Sequence, residues 1–168
     1  IWIAYPTSRY SMFAGLLHRT YWANWNMPTL SNGDKLPIVI NGGCASCQFN
    51  LSKECWGWRF VNKDNGGSIA IIGYTYAAYL GIGDQDSNGI PDCIECKGGY
   101  LNIQFFKNYG EEGMDILGEV WEKSIIDYLN KFPIDFNGQP ESDTQIDCKT
   151  VEEWCLICDP SLQIGGYS

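Results

Sequence analysis

The sequence predicts an α/β fold with a mostly parallel sheet flanked by helices, and three neighbouring segments carry this prediction. Lys35–Asn41 and Ser68–Gly73 are short runs rich in valine and isoleucine that end at a glycine or just before one, as buried parallel strands do. Leu51–Asn62 lies between them and repeats apolar residues about every 3.6 positions, which is the period of a helix. Strand, helix and strand in this order predict a right-handed crossover between two parallel strands.

Two more helices are predicted towards the C-terminus. Apolar and aromatic residues share one helical face from Leu117 to Phe132, and Pro133 ends that helix because proline has no backbone N–H to donate. A short helix is expected at Thr150–Trp154. The first 34 residues are aromatic and irregular, so the sequence predicts no elements for them.

The composition excludes several classes of function. The 168 residues carry 20 acidic and 11 basic side chains, a net charge of −9, and no basic stripe that would follow a phosphate backbone. We therefore expect no nucleic acid as a partner. The longest apolar runs are too short to cross a bilayer, so no membrane span is expected either. The chain opens inside the apolar segment Ile1-Trp2-Ile3, which indicates a piece of a longer polypeptide.

Eight cysteines are many for a chain of this length, and six of them form three C-x-x-C pairs. Such pairs hold zinc in some proteins and form disulfides in oxidising compartments. The spacing differs from that of a zinc ribbon, where about 15–20 residues separate the pairs. Here 45 residues separate Cys47 from Cys93, and 58 separate Cys96 from Cys155. A zinc-binding module is therefore kept only as a third hypothesis.

Cys44 follows the first predicted strand directly after Asn41-Gly42-Gly43. In an open parallel sheet, ligands and chemistry collect outside the carboxyl ends of the strands. The two glycines allow the tight turn that exposes the next side chain, which is where a nucleophile is needed. The alternative is that Cys44 is a small buried hydrophobic residue. The spacing alone leaves both interpretations open.

Four stretches, in order along the chain, resemble the gingipain-type cysteine peptidases, which share the caspase-like fold. They resemble the nucleophile segment of that family, the helix after it, the next strand and the close of the catalytic domain: Leu30–Cys44 with Gln48–Asn50, Glu54–Trp58, Gly66–Gly73, and Asp159–Leu162 with Ile164–Gly166. The similarity extends from Leu30 to Tyr167. It implies that residues 1–168 form a single caspase-like catalytic domain or the C-terminal portion of one.

The resemblance implies an extracellular or cell-surface cysteine endopeptidase that acts on proteins or peptides. Cys44 would be the thiolate of a Cys/His dyad, would attack a peptide carbonyl to form an acyl-enzyme, and would donate its own backbone N–H to the oxyanion. Cys47 falls where the family requires no thiol, so it is expected to be a structural neighbour.

The general base departs from the family pattern, which has a His-Gly motif upstream of the nucleophile. His18 is the only histidine in the sequence, and Arg19 follows it. Three possibilities stay open. The motif lies before Ile1, in a missing or separately cleaved upstream segment, or His18 is the base, or the chain is a catalytically silent, calcium-stabilised structural or adhesion domain. Ile1-Trp2-Ile3 favours the first, because it resembles a tryptophan-bearing stretch that follows the motif in some relatives.

A second motif spans residues 84–95 and fits the pattern D-x-[DN]-x-[DN]-G-x5-E, which sets oxygen ligands around Ca²⁺. Pro91 and the lack of an entering helix argue against a complete EF-hand. We expect a structural calcium ion, and the alternative is a solvated acidic turn. A loop of this kind needs the high Ca²⁺ found outside cells. The predicted ligands are Asp84, Asp86, Asn88, the Ile90 carbonyl, Asp92 and Glu95.

Overall fold

The protein is described from a computed structural model. The structure describes residues 2–7, 10–15, 18–23, 27–50, 54–140 and 142–166. For the residues up to 27 it describes the backbone alone. These residues form two compact units. One is built on the sheet and runs through Ala78 with the addition of Glu153–Cys158, and the other runs from Tyr79 to Glu152 and onward from Asp159.

In the described part of the chain, six strands form one sheet in the order β3-β2-β1-β4-β5-β6. Pairing is parallel between β1 and β4 and between β4 and β5, and antiparallel at the other contacts, so β1, β3, β4 and β5 share one direction. This confirms the mostly parallel sheet. The strands are β1 (Trp2–Thr7), β2 (Tyr10–Gly15), β3 (His18–Ala23), β4 (Ile38–Asn41), β5 (Ala70–Tyr74) and β6 (Trp154–Ile157).

The predicted crossover is present, with shorter elements than the sequence indicated. β4 and β5 are parallel neighbours, and α1 (Trp56–Val61) lies between them in the chain. The predicted helix began at Leu51, and its first three residues lie outside the described part. Cys55 caps α1, its sulfur accepting a hydrogen bond from the Trp58 N–H at 3.5 Å. The α1 side chains Trp56 and Phe60 pack in one core cluster with Val39 of β4, Ile71 of β5 and Cys47.

The chain leaves α1 through a turn that only glycine fits. Gly67 has a φ of +91°, and a Cβ at that position would lie 2.1 Å from the Phe60 carbonyl oxygen. The same carbonyl accepts a hydrogen bond from the Ser68 N–H at 3.0 Å. This close approach brings the chain back to the sheet, and β5 begins two residues later, at Ala70.

The second unit is mainly helical: α2 (Asp92–Glu95), α3 (Lys97–Gly110), α4 (Leu117–Lys131) and most of α5 (Asp143–Glu153). The helix predicted to end before Pro133 is confirmed as α4. The helix expected at Thr150–Trp154 is longer and begins at Asp143, while Trp154 starts β6. α3 packs on α4 through the buried Asn108, whose side-chain N–H groups donate to Ser124 at 3.2 Å and Asp127 at 3.2 Å. Within the described residues, no helix is long and apolar enough to cross a membrane.

Candidate active site

Cys44 lies just past the carboxyl end of β4, and β4 is a central strand between β1 and β5. Asn41, the last residue of β4, is fully buried, and its side-chain oxygen accepts the Gly43 N–H at 2.9 Å. That bond closes the turn at Gly42 and Gly43. Cys44 follows it as a half-buried free thiol, in the position that the strand and its glycines predicted.

The turn that carries Cys44, residues 44–48, is fastened to the end of β5. The N–H of Cys47 donates to the Tyr74 carbonyl at 2.9 Å, and the N–H of Ala45 donates to the Tyr76 carbonyl at 2.5 Å. The Ser46 hydroxyl accepts the Tyr74 N–H at 3.3 Å. Ala45 has a φ of 56°, which is costly for a residue with a Cβ and persists only where the surroundings hold it. These contacts fix the nucleophile turn relative to the sheet.

The residues after β5 contact the Cys44 sulfur. The Ala78 N–H donates to Cys44 Sγ at 3.3 Å, and the thiol lies 3.7 Å from the Ala78 carbonyl oxygen. An N–H pointed at sulfur has the polarity that a thiolate needs. Among the described residues, no acceptor takes the N–H of Cys44 itself. That amide is therefore available to an oxygen of a bound substrate.

Glu153 organises the segment that approaches Cys44, and no sequence pattern predicted this role. Its carboxylate accepts the Ala77 N–H, and its backbone carbonyl accepts the Thr75 N–H at 2.8 Å. Burial raises the pKa of the neighbouring Tyr74, and electrostatic interactions with Cys44 and Glu153 raise it further. No local motif marks Glu153, because only the pairing of β5 with β6 brings it beside the residues that follow β5.

His18 is the first residue of β3, which is an edge strand of the sheet, at the end opposite β6. The side chain of His18 is not among the parts that the structure describes. The register sets Thr20 level with Asn41 at the end of β4, through the paired residues of β2 and β1. His18 therefore begins β3 two residues before that level, and three strand spacings, or about 14 Å, separate β3 from β4. The backbone does not bring His18 to Cys44, and its role as the base stays a prediction.

The predicted calcium loop is closed by its own side chains. The Asp84 carboxylate accepts the N–H groups of Asn88 at 3.0 Å and Gly89 at 2.9 Å. The Asn88 side-chain oxygen in turn accepts the Ile90 N–H at 2.7 Å. Gly89 has a φ of +85°, as the sharp turn of such a loop requires. The Asp84 carboxylate oxygens, which were predicted as calcium ligands, therefore accept hydrogen bonds from the backbone of the loop.

Carboxylates from the two ends of this loop converge. One oxygen each of Asp86, Asp92 and Glu95 lie within 4.8 Å of one another. The Asn88 side-chain N–H groups donate to Asp86 at 3.0 Å and to Glu95 at 3.1 Å, so an amide group bridges two of the acids. Three of the six predicted ligand residues therefore bring carboxylate oxygens together, and these oxygens are of the kind that Ca²⁺ prefers. Asn88 faces them with its N–H groups and not with its oxygen.

All eight cysteines lie among the described residues, and none of them forms a disulfide there. Within that part of the chain, no three sulfurs come within 4.8 Å of one another, while the three carboxylates of the calcium loop do. The C-x-x-C pairs are therefore not assembled into a metal site. Cys47 is fully buried in the core cluster, and Cys93, in the calcium loop, is exposed.

Together, the fold and this site define a class: caspase-like α/β proteins with a cysteine after a central parallel strand. A model of peptidase family C25, the gingipain family, matches residues 8–165, so the chain belongs to that family. The search of curated proteins gave no match.

Solved structures show the same fold. The Arg-specific cysteine proteinase gingipain R (RgpB) is 16% identical, with a TM-score of 0.64, and the match covers 98% of this chain and 33% of that one. The complex of the Porphyromonas gingivalis RgpB pro- and mature domains gives 16% identity, a TM-score of 0.67 and coverage of 98% and 34%. A third structure, described as a protease, gives 14% and 0.63, with coverage of 98% and 35%. The chain thus spans about a third of each matched structure.

Proposed function

We propose that this chain is the nucleophile-bearing part of an extracellular cysteine endopeptidase that hydrolyses proteins or peptides. The observation that carries the proposal is the position of Cys44, a half-buried thiol held at the carboxyl end of β4 in a chain that belongs to family C25. A fixed thiol at this position meets the first requirement of nucleophilic catalysis, a reacting atom held in one place against the substrate.

The chemistry follows from the contacts of the turn. The Cys44 thiolate attacks the carbonyl carbon of the scissile peptide bond, and the oxyanion that forms accepts the Cys44 N–H. Collapse of this intermediate expels the amine and leaves an acyl-enzyme, which water then hydrolyses. The Ala78 N–H, at 3.3 Å from Sγ, orients the sulfur before the attack.

A general base must take the thiol proton and pass it to the leaving amine. We place this base outside the 168 residues, in a segment that completes the site. The sequence holds one histidine, and the backbone register sets it on the outer strand of the sheet, away from β4. A second donor to the oxyanion would come from the same segment, because in this chain His18 is followed by arginine and not by glycine.

We further propose that residues 84–95 bind one structural Ca²⁺. Asp86, Asp92 and Glu95 supply the converging carboxylates, with Asn88, the Ile90 carbonyl and Asp84 as the remaining predicted ligands. Three carboxylates this close repel one another, and a divalent cation removes that repulsion. The ion would hold the two ends of the loop together, and its need for abundant Ca²⁺ supports an extracellular location.

The test of the enzymatic function is covalent labelling of Cys44 in the complete protein. A peptide that carries a thiol-reactive group is incubated with the protein at neutral pH, and the modified cysteine is located by mass spectrometry. Label at Cys44, lost in Cys44→Ala together with hydrolysis of a peptide substrate, is the expected result. Cys93→Ala is the matched control, because Cys93 is the exposed thiol and would take up any non-specific label.

Two outcomes would contradict the proposal. The first is equal labelling of Cys44 and Cys93 by a plain alkylating reagent with no preference for the peptide probe. The second is a complete protein that neither cleaves peptides nor labels at Cys44, which would support the catalytically silent, calcium-stabilised domain instead.

A further inference from the structure

Cys47 and Cys155 meet beneath the turn that carries Cys44. Cys155 of β6 pairs with Gly73 of β5, and a Cβ on Gly73 would lie 2.8 Å from the Cys47 sulfur. Cys155 packs against the core cluster that contains Cys47. Gly73 has no side chain, and the Cys47 sulfur occupies the space beside it, at the position that pairs with Cys155 across β5 and β6.

The two thiols differ in reactivity. The side-chain interaction with Cys47 lowers the pKa of Cys155, while the same interaction, together with burial, raises the pKa of Cys47. Cys155 is half-buried and Cys47 is fully buried, so a reagent from solvent reaches Cys155 first. The third thiol of this region, Cys55, already caps α1 by accepting the Trp58 N–H. Cys155 is therefore the attacking thiol and Cys47 the resolving one.

We infer that Cys47 and Cys155 are a redox pair that forms a disulfide in an oxidising medium, joining the nucleophile turn to β6. The oxidant is a low-molecular-weight disulfide. The Cys155 thiolate attacks one of its sulfurs, forming a mixed disulfide and releasing one thiol. Cys47 then gives up its proton and attacks the Cys155 sulfur, releasing the second thiol. The protein loses two electrons and two protons, and the small disulfide becomes two thiols.

The cross-link would act on the site without consuming its nucleophile. The disulfide joins Cys47, in the nucleophile turn, to Cys155 in β6. The turn and β6 flank the segment whose Ala78 N–H contacts the Cys44 sulfur. Cys44 itself stays a free thiol. Because the disulfide closes a long loop in the unfolded chain, we expect the oxidised protein to melt about 5–10 °C higher than the reduced one.

The test uses a variant in which the two neighbouring thiols are removed, Cys44→Ala with Cys158→Ala. In that variant the tryptic peptide 36–53 contains only Cys47 and the peptide 150–168 contains only Cys155. The folded protein is incubated with glutathione disulfide, alkylated with iodoacetamide and digested without reduction. The expected result is one linked pair of these two peptides, which disappears when a reductant is added before alkylation.

Three results would overturn the inference. The first is a linked pair that involves the Cys55 peptide. The second is that Cys47 and Cys155 are both still alkylated after full exposure to the oxidant. The third is a disulfide between Cys44 and Cys47 in the wild-type protein. The melting temperature gives a second measurement. The rise on oxidation should vanish in Cys155→Ser and persist in Cys148→Ser, a buried cysteine of the other unit. Persistence of the rise in Cys155→Ser would also overturn the inference.

Discussion

Replacement of Gly73 by alanine tests whether the nucleophile turn is built on β5 as described. The added methyl group would lie 2.5 Å from Ser46 Oγ and 2.8 Å from Cys47 Sγ, and both of those side chains are buried. Forcing extra volume into a packed core costs about 1–3 kcal/mol. Displacing Ser46 also breaks its bond with the Tyr74 N–H, which is worth about 1 kcal/mol. The sum is about 2–4 kcal/mol of unfolding free energy.

Urea unfolding followed by tryptophan fluorescence measures this loss. With a slope of about 2 kcal/mol per molar urea, the midpoint should fall by about 1–2 M in Gly73→Ala. The rate of Cys44 alkylation should change as well, because the turn that holds the thiol must move. Gly110→Ala is the matched control: a Cβ at Gly110 meets nothing within 4 Å, so its midpoint should stay level or rise slightly.

The coupling between Gly73 and Ser46 decides the interpretation. Ser46→Ala removes the hydroxyl nearest to the new methyl group, so Gly73→Ala should cost less in that background than in the wild type. A midpoint for Gly73→Ala equal to that of the wild-type protein would refute the packing of the turn on β5. A full cost in the Ser46→Ala background would refute the assignment to Ser46 and would assign the loss to the contact with the Cys47 sulfur.

Three more predictions concern charged side chains. Glu153→Ala removes the acceptor of the Ala77 N–H and should slow alkylation of Cys44 several-fold with little loss of melting temperature. Calcium should raise the melting temperature of the wild-type protein and not that of Asp92→Asn, which lacks one converging carboxylate. Burial raises the pKa of Asp147, so the folded state binds a proton more tightly than the unfolded state does. Its contribution to stability therefore falls as the pH rises from 3.8 through the raised pKa, and Asp147→Asn should flatten that part of the profile in urea unfolding.

Each of these predictions has a control of similar chemistry. Glu122→Ala removes an exposed carboxylate of α4 and should leave the alkylation rate unchanged. Asp135→Asn changes an exposed acid outside the calcium loop and should keep the calcium response. Asp64→Asn, also exposed, should keep the slope of stability with pH. An effect in a control as large as in its partner would show that net charge, and not the named contact, causes the change.

Local pattern was sufficient to predict β4, β5 and α4. β4 and β5 are short apolar runs whose burial is nearly complete, and α4 repeats its apolar residues at the helical period up to Lys131. α3 was missed because two glycines lie near its start and two asparagines, Asn102 and Asn108, occupy buried positions on it. The N–H groups of the Asn108 amide donate to side chains of α4, and a sequence pattern contains no information about such partners.

The amino-acid sequence by itself determined the family, the cysteine that follows a central strand and the acidic loop, because each depends on residues close together in the chain. The converging carboxylates of that loop span only residues 86–95, so their meeting is a local event. The tertiary structure alone decided that Glu153 holds the segment beside Cys44 and that Cys155 packs against the core cluster that contains Cys47. Both follow from the pairing of β6 with β5, and hydrogen bonds between distant strands form only when the whole sheet assembles.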